Sequence, residues 1–280
     1  MTTERVVTFG PGGRIQGIVT APPTATDGVR RAVVMSNVGM HHRVGPYRLY
    51  VDLARAMAAD GWMALRFDHL GMGESGQRIA GEASAADEVE DLAQALDYLG
   101  EAEGIDEVFV VALCSGVDGA HPLAVRDARV RGAAFIDGYT YTTAGFRRRR
   151  LLLRFLQLGR WSRFLRRQIR RVTQPPVHRV DVLPVFSRVY PSQDQFRRDI
   201  GLLADRGVSL HCIFTGTLDS SFNAEHQIFE TLGPTVRRDR IAVTRLPRTD
   251  HVFRSVTARH DLVTRIRDWA AQAVARRDAP

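Results

Sequence analysis

Short β-branched runs alternate with longer segments of helical periodicity along nearly all of this 280-residue chain, and that alternation predicts a mostly parallel sheet with helices on both faces. Arg5 to Phe9 and Ile15 to Thr20, joined by Gly-Pro-Gly-Gly, read as an opening hairpin. Ala32 to Ser36, Met63 to Phe67, Val108 to Leu113, Gly132 to Ile136, Val208 to Phe214 and Ile241 to Leu246 read as strands of the sheet. Leu49, Leu53 and Met57 stripe the first intervening helix, and Val89, Leu92, Leu96 and Leu99 the second. Further helices are expected from Cys114 toward Arg126, near Ser221 to Leu232, and at the end around Leu262, Ile266 and Trp269. The alternation breaks over 139–200. The expected organisation is an α/β core of residues 1–138 and 201–280 with an inserted, Arg-rich helical cap at 139–200.

Composition narrows the class of protein. With 44% hydrophobic and 25% charged residues the chain is not disordered. Its apolar stretches fall short of the ~20 residues that span a bilayer. The start MTTERVVTFG has neither the basic nor the apolar region of a signal peptide, so a cytoplasmic location is expected. Two cysteines, Cys114 and Cys212, exclude a disulfide scaffold or a Cys-rich zinc module. The net charge of +8 is local: residues 143–200 hold 15 Arg and 3 Asp, the remainder 24 Arg and 28 acidic residues. All basic residues are Arg, and no nucleic-acid partner is expected from the high pI alone.

The strand Val108 to Leu113 runs straight into Cys114-Ser115-Gly116 and then into a helix. This is the pattern of a nucleophile elbow, a strained strand-to-helix turn that needs small residues two before and two after the nucleophile. Ala112 and Gly116 meet that need for Cys114; choosing Ser115 would put Leu113 and Val117 there instead. A thiol nucleophile needs a base, and His251 in Thr249-Asp250-His251 lies between the last strand and the last helix. The acid belongs after an earlier strand, where Asp219 of Thr215-Gly216-Thr217-Leu218-Asp219 is the first candidate and Asp137 the alternative. The loop Asn37 to His42 is expected to supply one oxyanion N–H, assigned to Met40, and the Ser115 N–H at the start of the following helix the other. His41-His42 without a carboxylate set is poor metal geometry, and no metal is expected. Phe67 to Ser75 lacks the Lys of a phosphate loop and reads as a structural turn.

RFDHLGMGES, ALCSG, FTGTLD and TDH, in this order, resemble the α/β-hydrolase superfamily of the serine-aminopeptidase type. RVGPYRLYVDLARAMAADGWMALRFDHLGMGES and the Arg-rich cap are similar more narrowly to hydrolases associated with exosortase systems, in which an elbow cysteine also occurs. The resemblance implies an eight-stranded, mostly parallel sheet, a helical cap and no cofactor. It also implies Cys114 as nucleophile, Asp219 as acid and His251 as base. The chain departs from the usual pattern at Ala112, where Gly is common, and in the oxyanion loop, which has no His-Gly pair.

The chemistry expected is cleavage of an ester, thioester or amide through an acyl-cysteine. An acyltransferase passing the acyl group to an amine or alcohol is the alternative, and a non-catalytic binding module a further one. The expected partner is an acyl-bearing small molecule, free or carried on coenzyme A or a carrier protein. The segment LLLRFLQLGRWSRFL also suits an anionic membrane surface, although packing over the cleft is the simpler reading. If the cap recruits an acidic acyl carrier, apparent affinity should fall with rising salt, measured as KM against ionic strength, and salt-independent kinetics would leave the arginines as a solvated face.

Overall fold

The computed structural model describes residues 2–23, 30–39, 41–78, 85–156, 188 and 190–278. Its strands are β1 (Thr3–Phe9), β2 (Ile15–Ala21), β3 (Arg31–Met35), β4 (Met63–Phe67), β5 (Glu107–Leu113), β6 (Val130–Ile136), β7 (Ser209–Thr215) and β8 (Ile241–Leu246). They form one sheet in the order β1-β2-β4-β3-β5-β6-β7-β8. The β1–β2 and β2–β4 pairs are antiparallel and all the others parallel. The helices are α1 (Leu49–Ala59), α2 (Ala85–Glu103), α3 (Gly116–Arg126), α4 (Ala144–Leu156), α5 (Gln193–Asp205), α6 (Gln227–Leu232) and α7 (Val256–Asp278). This is the α/β-hydrolase fold.

Strand alternation divides the core between two faces. In β5, Phe109, Val111 and Leu113 meet Leu53 and Met57 of α1 and Ile266 and Trp269 of α7. Val108, Val110 and Ala112 join the other layer, with Leu92 and Leu96 of α2 and Val117 and Leu123 of α3. A strand buried on both faces has to be apolar throughout, which is why β5 reads EVFVVAL rather than alternating.

Two sequence expectations change. The helix expected from Ser221 is only Gln227–Leu232, because the buried Gln227 side chain organises the preceding residues as a turn. Its amide nitrogen donates to the carbonyls of Ser221 (2.7 Å) and Tyr141 (3.1 Å), while its oxygen accepts from Asn223 N (3.0 Å). Further, the helix at the end of the expected cap belongs to the sheet. The Ser192 hydroxyl caps α5 by accepting from Gln195 N at 3.1 Å, and Phe196, Ile200, Leu203 and Ala204 join the core, so the core resumes before residue 201. Within the cap interval α4 is fastened to the core: Phe146 is buried, and Arg149 donates to Asn223 (2.8 Å) and Glu230 (2.5 Å). The remainder of the cap's amphipathic run, from 157 to 187, lies outside the described residues. No helix among the described residues is long and apolar enough to cross a membrane.

The turn Phe67 to Ser75 is structural, and it sets the loop that faces the elbow. Asp68, fully buried, accepts from Asn37 Nδ2 (2.7 Å), Arg43 N (2.7 Å), Glu74 N (3.3 Å) and the Arg43 guanidinium. Gly73 stands at φ 52°, and a Cβ there would strike the Asp68 carboxylate, so glycine is required twice over. Arg43 also pairs with Glu74, but Asp68→Ala strips the buried guanidinium of its buried partner and leaves Asn37 Nδ2 and two backbone N–H groups without their acceptor. The substitution should therefore lose roughly 3–5 kcal/mol of stability in urea unfolding. A loss under about 1 kcal/mol would show that Glu74 alone compensates Arg43.

Candidate active site

The elbow forms at the end of β5. Cys114 has φ 53°, a left-handed conformation that costs an L-residue roughly 1–2 kcal/mol. It is held there from both sides: its N–H donates to Ile136 O (2.8 Å), extending the ladder to β6, and its carbonyl accepts from Val117 N (3.1 Å), opening the turn of α3. Gly116 lets the turn pass close to the loop, since a Cβ there would lie 3.2 Å from Asn37 O and 3.8 Å from the Ala112 methyl. The small residues bracketing Cys114 are thus explained by contact. Ser115 is turned elsewhere: its hydroxyl accepts from Gly39 N at 2.8 Å, and its φ of −62° is unstrained.

His251 and Asp137 complete the constellation. His251 Nδ1 lies 2.8 Å from Asp137 Oδ2, and the ring and the Cys114 thiol each shift the other's pKa. Nδ1 being taken by the carboxylate, Nε2 is the nitrogen left to face sulfur. The histidine backbone is anchored by its N–H to Thr217 Oγ1 at 3.0 Å and by the buried Phe253 two residues on. Asp137, at φ 48° directly after β6, donates its N–H to Ile213 O (2.8 Å). Its Oδ1 accepts from Thr215 N (2.7 Å) and its Oδ2 from Thr215 Oγ1 (2.6 Å).

The acid beside His251 is therefore Asp137, the alternative, and not Asp219. The 3-10 turn Gly216–Leu218 carries Asp219 away from the histidine, and its half-exposed carboxylate accepts from Arg245 on β8 at 2.6 Å. What reaches His251 from this loop is the Thr217 hydroxyl. Met40 lies outside the described residues. The Gly39 N–H next to it is engaged by the Ser115 hydroxyl, and the Ser115 N–H helps to lower the Cys114 thiol pKa. His42 faces Asp68 (3.2 Å) and the Arg43 guanidinium (2.8 Å). Thr215, Thr217 and Arg188 were missed at the sequence level; the first two stand at the end of a strand flanking Gly216, which is the signal that a strand terminus faces the site.

Electrostatics favour an ion pair. The hydrogen bond to Asp137, then that to Cys114, against opposing burial, raise the His251 pKa to about 10. Burial is the largest single influence on Cys114 and pushes the thiol up. The hydrogen bond and charge of His251, the charge of Arg188 and the Ser115 N–H together bring it below the ordinary thiol value. Cys212, buried in β7 with none of these, is pushed up to about 12.

Residues 28–156 match the family described as serine aminopeptidase, S33. No curated protein matches the chain. Among solved structures, a dienelactone hydrolase from Anabaena variabilis is 13% identical, with 97% of this chain and 98% of that one covered at a TM-score of 0.59. A Xanthomonas campestris protein described as an α/β serine hydrolase without lid is 16% identical, with 98% and 94% covered at 0.53. A cold-adapted esterase from an Arctic intertidal metagenomic library is 15% identical, with 95% and 94% covered at 0.55. The family model matches 129 of the 280 residues, and the solved structures share the α/β-hydrolase fold over nearly the whole chain.

The two aspartates separate cleanly by mutation. Asp137→Asn should lower kcat/KM toward an activated ester roughly 10²–10⁴-fold, because the amide cannot hold Nδ1–H of a charged imidazole, whereas Asp219→Asn should stay within about twofold. The reverse order would move the acid back to Asp219.

Proposed function

We propose that this chain of α/β-hydrolase fold is a hydrolase that cleaves an ester, thioester or amide through an acyl-cysteine, with Cys114 as nucleophile, His251 as proton carrier and Asp137 as the acid that orients it. The observation that carries this reading is the hydrogen bond from Asp137 to His251, whose ring acts on the Cys114 thiol at the strained apex of the elbow. A serine at this apex would have to surrender its proton during attack. A cysteine beside a charged imidazole gives up its proton more readily.

In the reaction the Cys114 thiolate adds to the acyl carbon and forms the C–S bond, and the carbonyl electrons collect on oxygen. In this reading the Ser115 N–H, at the start of α3, donates to that oxyanion. As the C–O, C–S or C–N bond to the leaving group breaks, the His251 imidazolium gives that group its proton. The neutral imidazole then takes a proton from water as the water oxygen attacks the thioester, and sulfur leaves as thiolate. Asp137 holds the imidazole throughout and is not itself protonated. The acyl-cysteine is a thioester, a form more open to amines than an oxygen ester is. Supplying an amine or alcohol and measuring the transferred product therefore separates hydrolase from acyltransferase.

Mass spectrometry after incubation with acyl esters and acyl thioesters should find the adduct on Cys114. The adduct should vanish in Cys114→Ala and persist in Ser115→Ala. An adduct on Ser115, or full activity in Cys114→Ala, would make the protein a serine hydrolase with the elbow shifted by one residue. Iodoacetamide should label Cys114 well below the pH at which Cys212 reacts, because only the thiolate attacks and the two thiols are shifted in opposite directions.

A further inference from the structure

Arg188 is bonded to Asp118 and to the Asp137 backbone at the elbow, without a part in the reaction just described. Its side chain is 15% exposed, and both its Asp118 contacts are direct: Nε to Oδ2 at 3.0 Å and Nη2 to Oδ1 at 2.7 Å. The third guanidinium nitrogen, Nη1, donates to the backbone oxygen of Asp137 at 3.3 Å. The ring centroids of Tyr139 and Tyr190 lie 5.5 and 5.1 Å from its central carbon, so the planar group is clasped on faces and edges alike. Asp118 is in the first turn of α3, four residues beyond Cys114, and Asp137 follows the residue whose carbonyl accepts the Cys114 N–H. The guanidinium is thus tied to both pieces of backbone that form the elbow.

We propose that Arg188 is a positioning residue for the nucleophile, which cancels the Asp118 carboxylate at the mouth of the elbow and sets a second positive charge beside the Cys114 sulfur, in addition to His251. The reason lies in charge placement. Without Arg188 the Asp118 carboxylate, in the first turn of α3 four residues beyond Cys114, would lose the guanidinium that answers it. An unanswered negative charge at the elbow disfavours a thiolate. Asp137 is answered by His251; Asp118 is answered by Arg188. Tyr139 and Tyr50 are both pushed to high pKa by burial and remain neutral; Tyr190 also lies against the guanidinium, and the buried His121 of α3, which faces Asp199, is lowered by burial against the charges of Asp199 and Asp118. Arg188 itself loses ground to burial but is held charged by Asp118, and its charge in turn favours the thiolate form of Cys114.

The inference rests on Cys114 being the thiolate nucleophile, and it separates from a purely structural role by the sign of two effects. The measurement is the pH dependence of iodoacetamide labelling at Cys114, read site by site by mass spectrometry on the full chain, with folding followed by circular dichroism. Arg188→Gln should move the midpoint up and slow labelling at pH 7 roughly three- to tenfold. Asp118→Asn removes the opposing carboxylate and leaves the guanidinium on Asp137 O and the two tyrosines, so it should move the midpoint down. Arg188→Lys should fall between wild type and Arg188→Gln, since it keeps charge and loses the fork. A structural latch would instead shift both partners' variants in one direction or neither, and either result overturns the proposal. Should Arg188→Gln fail to fold, a downward shift in Asp118→Asn supports it and an upward or absent shift overturns it. Opposite shifts in a protein that forms no acyl adduct would sink the acyl chemistry while sparing Arg188. An adduct with unmoved midpoints would do the reverse.

Discussion

The hydrogen bond between Asp137 and His251 is the point on which the arrangement at the carboxyl end of the sheet depends. A carboxylate with no exposed side-chain surface is costly unless its oxygens are occupied, and here they are, by Thr215 N, Thr215 Oγ1 and His251 Nδ1. That set of partners exists only if β6 and β7 run parallel with Ile136 opposite Ile213, because this register brings Thr215 beside Asp137. The loop after β8 must also lie across both strands for the histidine to arrive. Satisfying one buried charge thus fixes three segments of chain far apart in sequence.

The second constraint is backbone strain. Cys114 and Asp137 follow adjacent strands, and each takes a left-handed conformation in the first residue beyond its strand. Each is held by an N–H in the next strand's ladder, Cys114 to Ile136 and Asp137 to Ile213. The same device is used twice, and both times it swings a side chain off the sheet edge into the cleft where ligands of open α/β sheets bind. A β-strand continuing in its ordinary conformation would bury one of these side chains against a helix. The strain is sustained because β5 and β6 sit centrally in the sheet, flanked on both sides by parallel partners.

The sheet was legible in the sequence because apolar runs such as EVFVVAL have no other stable use in a chain of this size, and the elbow was legible because small residues had to bracket its apex. The acid was not, since Asp137 and Asp219 both follow a strand and differ only in what the intervening turn does. The decisive feature is the Gly216–Leu218 turn that carries Asp219 toward Arg245, and it depends on tertiary contacts with the loop after β8, such as Gly216 N to Thr249 O at 3.1 Å. The end of the cap was hidden for a related reason. Helix α5 is polar on its outer face, with Arg197, Arg198 and Asp199, and its core stripe of Phe196, Ile200 and Leu203 is too short to stand out beside the Arg-rich run before it. Arg188 could not be told from the other arginines of its segment, because its meaning comes from Asp118, seventy residues away.

The concentration of arginine in the cap interval looks like one electrostatic surface, yet the described part of it does several different things. Arg149 is committed to Asn223 and Glu230 and so fastens α4 to α6; Arg150 reaches Ser220 O at 3.5 Å and covers the Phe146 ring; Arg188 is spent on Asp118. Arg149 and Arg188 contribute little to a long-range field, because each is matched by a carboxylate a few ångströms away, whereas Arg150, meeting a neutral carbonyl and a ring, keeps its charge. Steering of an acidic acyl carrier would therefore fall to arginines outside these pairs, and neutralising Arg149 would report on how α4 is attached rather than on recruitment. The net charge of the segment and the charge it offers to a ligand are different quantities, and only the contacts distinguish them.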